Sequence, residues 1–164
     1  MVTGDMFREG MARLGAAVTV VTTDGPAGRR GLTVSAVCSV TDSPPSLMVC
    51  INRRSRSHGA VLENGVLCVN VLAGSDEPLG AAFAGRGEPG DDPFLGADWG
   101  VLATGAPALA SAVVALDCRI SLARDIGTHS AILCEVQAMS LGAGSDALVY
   151  FNRRFHHLHW QASA

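Results

Sequence analysis

The chain has 164 residues and a formal net charge of −3 at pH 7. This length predicts a single domain over residues 1–164 that is large enough to bury a core. The charge argues against a nucleic-acid-binding protein, because Arg29-Arg30, Arg53-Arg54 and Arg153-Arg154 are isolated pairs instead of a basic stripe. Such pairs fit either single phosphate contacts or solvated strand ends.

Charged residues interrupt the start of the chain, so no signal peptide is predicted. No segment approaches the roughly 20 apolar residues that a membrane span needs. The cysteines lie mostly in apolar runs without a CxxC pair, and they are Cys38, Cys50, Cys68, Cys118 and Cys134. This usage predicts reduced, buried thiols in a soluble, cytoplasmic protein.

The N-terminal segment predicts an amphipathic helix over residues 5–14, because Phe7, Met11 and Leu14 recur at helical spacing. Strands are predicted at 17–23 and 66–72, and short helices at 58–63 and 77–83. Between 84 and 110 the chain is rich in Gly, Pro and Asp. We expect a long surface excursion there, either a lid or a subunit contact.

The segment 113–122 alternates, with Asp117, Arg119 and Ser121 expected on the polar face. A second alternating strand follows around 132–138, and a last strand is expected at 147–151. Alternation in successive strands indicates antiparallel pairing with one face on a core. The predicted fold is mostly β, a barrel or sandwich with short flanking helices.

The segment 31–52 is the most informative part of the chain. We expect hydroxyl side chains in an extended run at 33–39, a turn at 43–45, and an apolar strand at 47–51 that ends at Asn52. The pattern suits a flat ligand with polar edges lying against exposed backbone. It is not typical of enzymes that carry their own nucleophile.

Several other site types are not indicated. No GxGxxG follows a strand and opens a helix, and neither a P-loop nor a GxSxG elbow is present. His156, His157 and His159 form an HHxH cluster, but adjacent residues of a strand point to opposite faces, which disfavours a shared metal. No metal site is predicted. His129 follows Gly127-Thr128 at the mouth of a strand, where it has either a structural or a ligand-facing role.

These segments together resemble the short-chain flavin reductases, the small components of two-component flavin-dependent monooxygenases such as the reductase component of 4-hydroxyphenylacetate 3-monooxygenase. The resemblance runs from Phe7 to Leu158 and is carried by FREGMARLGAAVTVVTTDGPAG, GLTVSAVCSVTDSPPSLMVCINRRS, LCVNVL, LDCRISLARDIGTH and LVYFNRRFHHL. It implies a homodimeric, FMN-binding split β-barrel with Greek-key connectivity. It also implies that NADH or NADPH reduces FMN or FAD, which then leaves for an oxygenase.

The resemblance assigns residues to parts of this site. The segment beside the isoalloxazine ring comprises Thr33, Val34, Ser35, Ala36 and Ser39, with Cys50 on the neighbouring strand. Asn52, Arg53 and Ser55 match the segment that holds the ribityl and phosphate groups, with Ser57 adding a donor. Phe83 and Arg86 match the outer portion of the flavin. The nicotinamide nucleotide is assigned to His129, Tyr150 and Arg154, the last two on the final strand.

The absence of a nucleophile agrees with hydride transfer, which depends mainly on proximity and orientation. We expect no catalytic acid or base, with His129 assisting by position. Two alternatives stay open from the sequence. One is a reductase that retains its flavin and acts on another acceptor, such as a cobalt corrin, and the other is a flavin-binding protein without catalysis.

Overall fold

The computed structural model describes residues 1–87, 90–144 and 146–159. The strands in these residues are β1 (Ala16–Ala17), β2 (Thr19–Thr23), β3 (Arg30–Val34), β4 (Val37–Asp42), β5 (Pro45–Asn52), β6 (Val66–Val71), β7 (Trp99–Val101), β8 (Pro107–Leu109), β9 (Val114–Ile126), β10 (His129–Leu141), β11 (Asp146–Phe151) and β12 (Arg154–His159). The helices are α1 (Gly4–Ala12), α2 (His58–Asn64) and α3 (Glu77–Ala81), with a π-helical turn at Ala82–Arg86. The expected mostly-β fold is confirmed.

Seven of the strands form one antiparallel sheet in the order β3-β2-β6-β9-β10-β5-β4. Its two edge strands, β3 and β4, are consecutive in the chain and are separated only by Ser35 and Ala36. A sheet whose opposite edges are joined by two residues has to roll up on itself. The Cys50 amide donates to the Ala36 carbonyl at 2.9 Å, which joins this connection to β5.

The expectation of one continuous extended run at 33–39 is therefore wrong. The run breaks at Ser35-Ala36, so that Thr33 pairs with β2 while Ser39 pairs with β5 at the opposite edge. The predicted hairpin partner, β5, is present and ends at Asn52 as expected. Closure of the sheet requires the break, and local strand propensity gives no sign of it.

Both faces of the central strands are buried. On β2, Val20 packs into one apolar cluster and Val21 into the other. The second cluster, which includes Val49, Ile51 and Ile132, fills the interior of the rolled sheet. The three β2 threonines are satisfied by backbone carbonyls, as where Thr19 Oγ1 donates to Val34 O at 2.6 Å. Full burial of both faces explains why β2 shows no polar alternation.

The predicted strand at 17–23 is split in two at Val18. Its first part, β1, pairs with β11 in a separate sheet of order β1-β11-β12. The sequence prediction ended with a strand at 147–151 and missed β12 beyond it. Asn152 and Arg153 have φ of 49° and 62° and form the turn of this hairpin. Tyr150 and Arg154 consequently lie on two different strands, β11 and β12.

The excursion at 84–110 is only partly on the surface. Phe94 and Leu109 are buried in the first apolar cluster, and β7 pairs with β8. The Leu109 amide donates to the buried Asn70 side chain at 2.7 Å, which attaches β8 to β6. The scarcity of apolar residues in this segment was misleading, because the few that it has are inserted into the main core.

Asp117 is completely buried, although alternation placed it on the polar face. Its carboxylate accepts the amides of Ala103 and Thr104, each at 2.7 Å, and the Thr104 hydroxyl. The excursion covers this face of β9, and its free amides give the carboxylate the hydrogen bonds that a buried charge requires.

The predicted N-terminal helix is present as α1, capped by the Thr3 hydroxyl. None of its residues is buried. Phe7 and Met11 are exposed, and so is Leu14, which lies two residues beyond the end of the helix. No described helix is both long and apolar enough to cross a membrane.

Candidate functional site

The connection between β5 and α2, residues 52–57, is folded by its own hydrogen bonds. The Asn52 side chain accepts the Arg54 amide at 2.9 Å, and the Ser55 amide donates to the Asn52 carbonyl at 2.9 Å. The Ser57 hydroxyl donates to the Gly31 carbonyl at 2.7 Å. Ser57 therefore holds this loop against β3, and its hydroxyl proton is not free for a ligand.

A cavity of about 870 Å³ lies between this loop, β3 and the excursion. Its volume is within the usual range for a small-molecule site. Ser55 and Arg56 face it from the loop, and Arg29 and Arg30 from the start of β3. A hydroxyl with several guanidinium groups is a donor set suited to a phosphate.

The floor of this cavity depends on a glycine. A Cβ added at Gly31 would lie 2.5 Å from the Phe83 ring. Phe83 is itself held edge-on against Phe94, with ring centroids 4.9 Å apart, and against Trp99 at 5.9 Å. Gly31 allows the ring to lie directly on the β3 backbone.

Acidic residues of the excursion face the basic side of the cavity. Asp92 pairs with Arg29 at 3.4 Å, and the Arg29 guanidinium lies 4.4 Å from the centre of the Phe94 ring. Arg29 thus anchors the excursion. Among the described residues Arg30 and Arg56 form no ion pair and remain for a bound anion, with one Arg30 nitrogen donating to the Arg29 carbonyl at 2.8 Å. A second cavity of about 900 Å³ adjoins the first and shares Arg56, Asp91 and Asp92.

A smaller cavity of about 160 Å³ lies between the break in the β3–β4 run and the C-terminal hairpin. It is lined by five of the predicted residues together with others, namely Thr33, Val34, Ser35, Arg86, Tyr150, Val18, Ala84 and Phe155. The Thr33 hydroxyl donates to the Gly80 carbonyl at 2.6 Å. The structure therefore brings together Thr33, Val34 and Ser35 of the segment predicted beside the isoalloxazine ring with Arg86 and Tyr150.

Other predicted residues lie outside these three cavities. Asn52 and His129 are opposite each other in the β5–β10 register, and the His129 ring is 2.9 Å from the Thr128 hydroxyl. Arg53 is next to them and pairs with Asp125 at 3.2 Å. The remaining ones are Ala36, Ser39 and Cys50 around β4–β5, and Arg154 on β12.

Sequence reasoning missed two basic residues that line the cavity beside loop 52–57. Arg30 was considered only as part of a pair that fits either a phosphate contact or a solvated strand end, and Arg56 was passed over, although it stands between Ser55 and Ser57. The alternation of serine and arginine over 53–57 is the signal that points to it. Arg30 carries no such signal, because only the fold places the start of β3 beside this loop.

The cysteines differ in their surroundings. Cys38 is exposed and Cys50 is half-buried, so the expectation of buried thiols is wrong for Cys38. Burial raises the pKa of Cys68 and of Cys134 to about 12. Burial also raises the pKa of Cys118, with smaller contributions from Cys134, Cys68 and Asp117. These three thiols are protonated at neutral pH and are not nucleophiles.

The histidines of the HHxH segment have separate partners. His156 Nε2 is 3.1 Å from the Phe151 carbonyl oxygen, and His157 Nε2 is 2.6 Å from Glu77 Oε2. Among the described residues no group of three His, Cys, Asp or Glu side chains has the geometry to hold a metal ion.

The flavin reductase-like domain model matches residues 11–159. The chain belongs to this family. A relative from Ancylobacter novellus named FMN reductase (NADH) RutF is 54% identical over 152 residues, which are 93% of this chain and 83% of the relative. Another relative with the same name, from Agrobacterium fabrum, is 52% identical over 149 residues, which are 91% of this chain and 85% of the relative.

Solved structures of flavin reductases have a fold similar to that of this chain. The flavin reductase component BorF of a bacterial two-component tryptophan halogenase has a TM-score of 0.87 and 29% identity, with 97% of this chain and 100% of that one covered. The NADH:FAD oxidoreductase SgcE6 of Streptomyces globisporus has a TM-score of 0.85 and 30% identity, with 95% of each chain covered. The neighbours are of the split-barrel type, which confirms the predicted fold class.

The raised thiol pKa values predict selective alkylation. At pH 8 in the native state, iodoacetamide is expected to modify Cys38 and to leave Cys68, Cys118 and Cys134 unmodified, because their pKa values lie well above that pH and their sulfurs are buried. Peptide mass spectrometry gives the occupancy at each site. Unfolding in urea before alkylation is the control and should expose all five. Native labelling of any of the three at the rate of Cys38 contradicts the prediction.

Proposed function

We propose that this chain is an NADH-dependent FMN reductase that supplies reduced flavin to a partner monooxygenase. The observation that carries the proposal is the cavity beside loop 52–57, where Ser55, Arg30 and Arg56 form a phosphate-binding set in a chain of this family. The names of the relatives from Ancylobacter and Agrobacterium support FMN and NADH as the pair of substrates. BorF is named as the flavin reductase component of a two-component tryptophan halogenase, which supports a partner enzyme in a two-component system.

The donor set would hold a flavin phosphate. Ser55, Arg30 and Arg56 would bind the phosphate, and Phe83 would lie beside the rest of the flavin. The ring segment, at Thr33, Val34 and Ser35, presents backbone groups at the break between β3 and β4, where the sheet ladder does not use them all. Asn52 and Arg53 do not line these cavities and instead hold the loop, through the Arg54 amide and through Asp125.

Bound flavin accepts a hydride from NADH, and the resulting dihydroflavin carries two electrons to the partner. The residues present contribute binding and orientation, since such a transfer needs stacked rings and no protein acid or base. We assign the nicotinamide nucleotide to the side of Tyr150 and Arg154, with His129 entering from the β10 mouth, and we assign Arg86 to the outer portion of the flavin. The five free cysteines support a reducing compartment, and we propose a cytoplasmic location.

The first test is turnover. Purified protein mixed with NADH and FMN in air is expected to oxidise NADH at 340 nm, faster with FMN than with FAD. Mixtures lacking flavin or protein provide the controls. No oxidation above those controls with either flavin or either nicotinamide nucleotide contradicts the proposal.

The same preparation separates the proposal from its alternative. After anaerobic reduction, ultrafiltration should find reduced FMN in the filtrate, because a supplying reductase releases its product. Flavin retained by the protein through repeated turnover supports a reductase with bound flavin and another acceptor.

The second test concerns the phosphate set. Ser55→Ala should weaken FMN binding by about 1 kcal/mol, roughly fivefold in Kd, because one phosphate hydrogen bond is lost. Riboflavin, which lacks the phosphate, should bind equally to both proteins. Fluorescence titration measures both constants. Ser46→Ala is the matched control, since its hydroxyl bonds Pro44 O at the β4–β5 turn. An unchanged FMN affinity removes Ser55 from the site.

We further propose that the chain is a homodimer. At one end of the β9–β10 hairpin, Leu122 and Ile126 are 57% and 65% exposed. On α1 and just beyond its end, Phe7 and Leu14 are 61% and 63% exposed. A second copy of the chain, related by a two-fold axis, would cover both of these apolar surfaces with the same surfaces of its own.

Light scattering after size exclusion is expected to give twice the chain mass of 16.9 kDa. Ile126→Glu should shift the protein toward the single-chain mass, because it places a charge in an apolar contact. Val101→Glu is the control, an equally exposed apolar residue on β7 at 65% exposure. A wild-type mass of one chain contradicts the dimer, and equal behaviour of the two variants removes the β9–β10 end from the interface.

A further inference from the structure

Ser130 is a completely buried hydroxyl at the start of β10. In register it lies between Asp125 on β9 and Ile51 on β5. Its Oγ donates to Asp125 Oδ1 at 2.6 Å and is 2.8 Å from His58 Nε2. The family resemblance does not account for this contact, and the phosphate set does not include it.

The direction of both hydrogen bonds follows from the number of protons. A serine hydroxyl has one proton, and the Asp125 carboxylate can only accept. Ser130 therefore gives its proton to Asp125, and the bond from His58 has to run the other way. Nε2 of His58 carries a proton and donates it to the Ser130 oxygen.

The second oxygen of Asp125 continues the network. Asp125 Oδ2 forms an ion pair with the Arg53 guanidinium at 3.2 Å. Arg53 is also attached through its backbone, because its amide donates to the Thr128 carbonyl at 3.0 Å. An ion pair between half-exposed side chains contributes little alone. Here one carboxylate oxygen is fixed by a buried hydroxyl, which fixes the other toward Arg53.

This network reaches both ends of loop 52–57. Arg53 lies at its beginning and His58 directly after its end, as the first residue of α2. Ser55 and Arg56, which lie between them, face the cavity of about 870 Å³. Ser130, Asp125 and His58 do not line that cavity, so they do not touch what it holds.

We propose that Ser130, acting through Asp125 and His58, positions loop 52–57 for binding the flavin phosphate. This inference rests on the proposed function. A loop that is held at both ends loses less conformational freedom when its hydroxyl and guanidinium groups close on an anion. The three are positioning residues that act through Ser55 and Arg56.

The test compares FMN with riboflavin in the intact protein. Ser130→Ala and His58→Ala are each expected to raise Kd for FMN about three- to tenfold, the effect of one lost hydrogen bond. Kd for riboflavin and kcat at saturating FMN should stay within about twofold, since the phosphate is the group affected. His58→Gln should restore FMN affinity, because its amide nitrogen donates near the position of Nε2.

Ser121→Ala is the matched control, since its hydroxyl donates to the Leu133 carbonyl at 3.1 Å on the same strand pair, outside the network. Thermal midpoints of all variants measure the cost to stability separately. If Ser130→Ala does not fold, the His58→Ala and His58→Gln pair carries the comparison, because His58 is only half-buried.

An equal rise in Kd for both flavins, or no rise for FMN, overturns the positioning role. So does failure of His58→Gln to recover the affinity that His58→Ala loses. These outcomes differ from failure of the proposed function, which is recorded as absent NADH oxidation by the wild-type protein with FMN. A wild-type protein that turns over while its variants bind FMN normally contradicts this inference alone.

Discussion

The two-residue connection between β3 and β4 is the constraint on which the site depends. These strands are the two edges of one seven-stranded sheet. Because only Ser35 and Ala36 connect them, the sheet has to roll up until its edges meet. The roll brings β3 beside the end of β5 and the start of α2, where the Ser57 hydroxyl bonds the Gly31 carbonyl. The same break interrupts the strand ladder beside the cavity of about 160 Å³. Closure of the sheet and one wall of this cavity therefore arise from one feature of the chain.

Buried polar groups attach the outer segments to this rolled sheet. Asp117 and Asn70 receive amides of the excursion, which brings Phe94 under the cavity next to Phe83. Ser130 fixes loop 52–57 from inside the sheet. Each group is fully buried and has its partners, so each specifies one arrangement instead of merely adding stability. The cavity is thus built by polar contacts that lie behind its walls.

Much of the fold could be predicted from the pattern of apolar and polar residues along the chain. The alternation around Ile132 and Cys134, the helix at α2 and the end of β5 at Asn52 follow from periodicity and from side chains next to one another in sequence. Other features were missed because distant segments decide them. Asp117 looks like a surface residue until the excursion covers it. The strands β2 and β6 were predicted, but not the burial of both their faces. The same holds for the site: Ser55 stands in a visible pattern, whereas Arg30 joins it only through the roll of the sheet.

By itself, the sequence determined the class of the protein: mostly β, without a nucleophile, with cysteines in apolar runs and long segments similar to flavin reductases. These properties depend on composition and on neighbours along the chain. Only the tertiary structure decided which cations face the large cavity, that Arg29 is occupied by Asp92, and that one buried hydroxyl connects both ends of the phosphate loop. Such contacts join residues up to 72 positions apart, and no local periodicity records a partner at that distance.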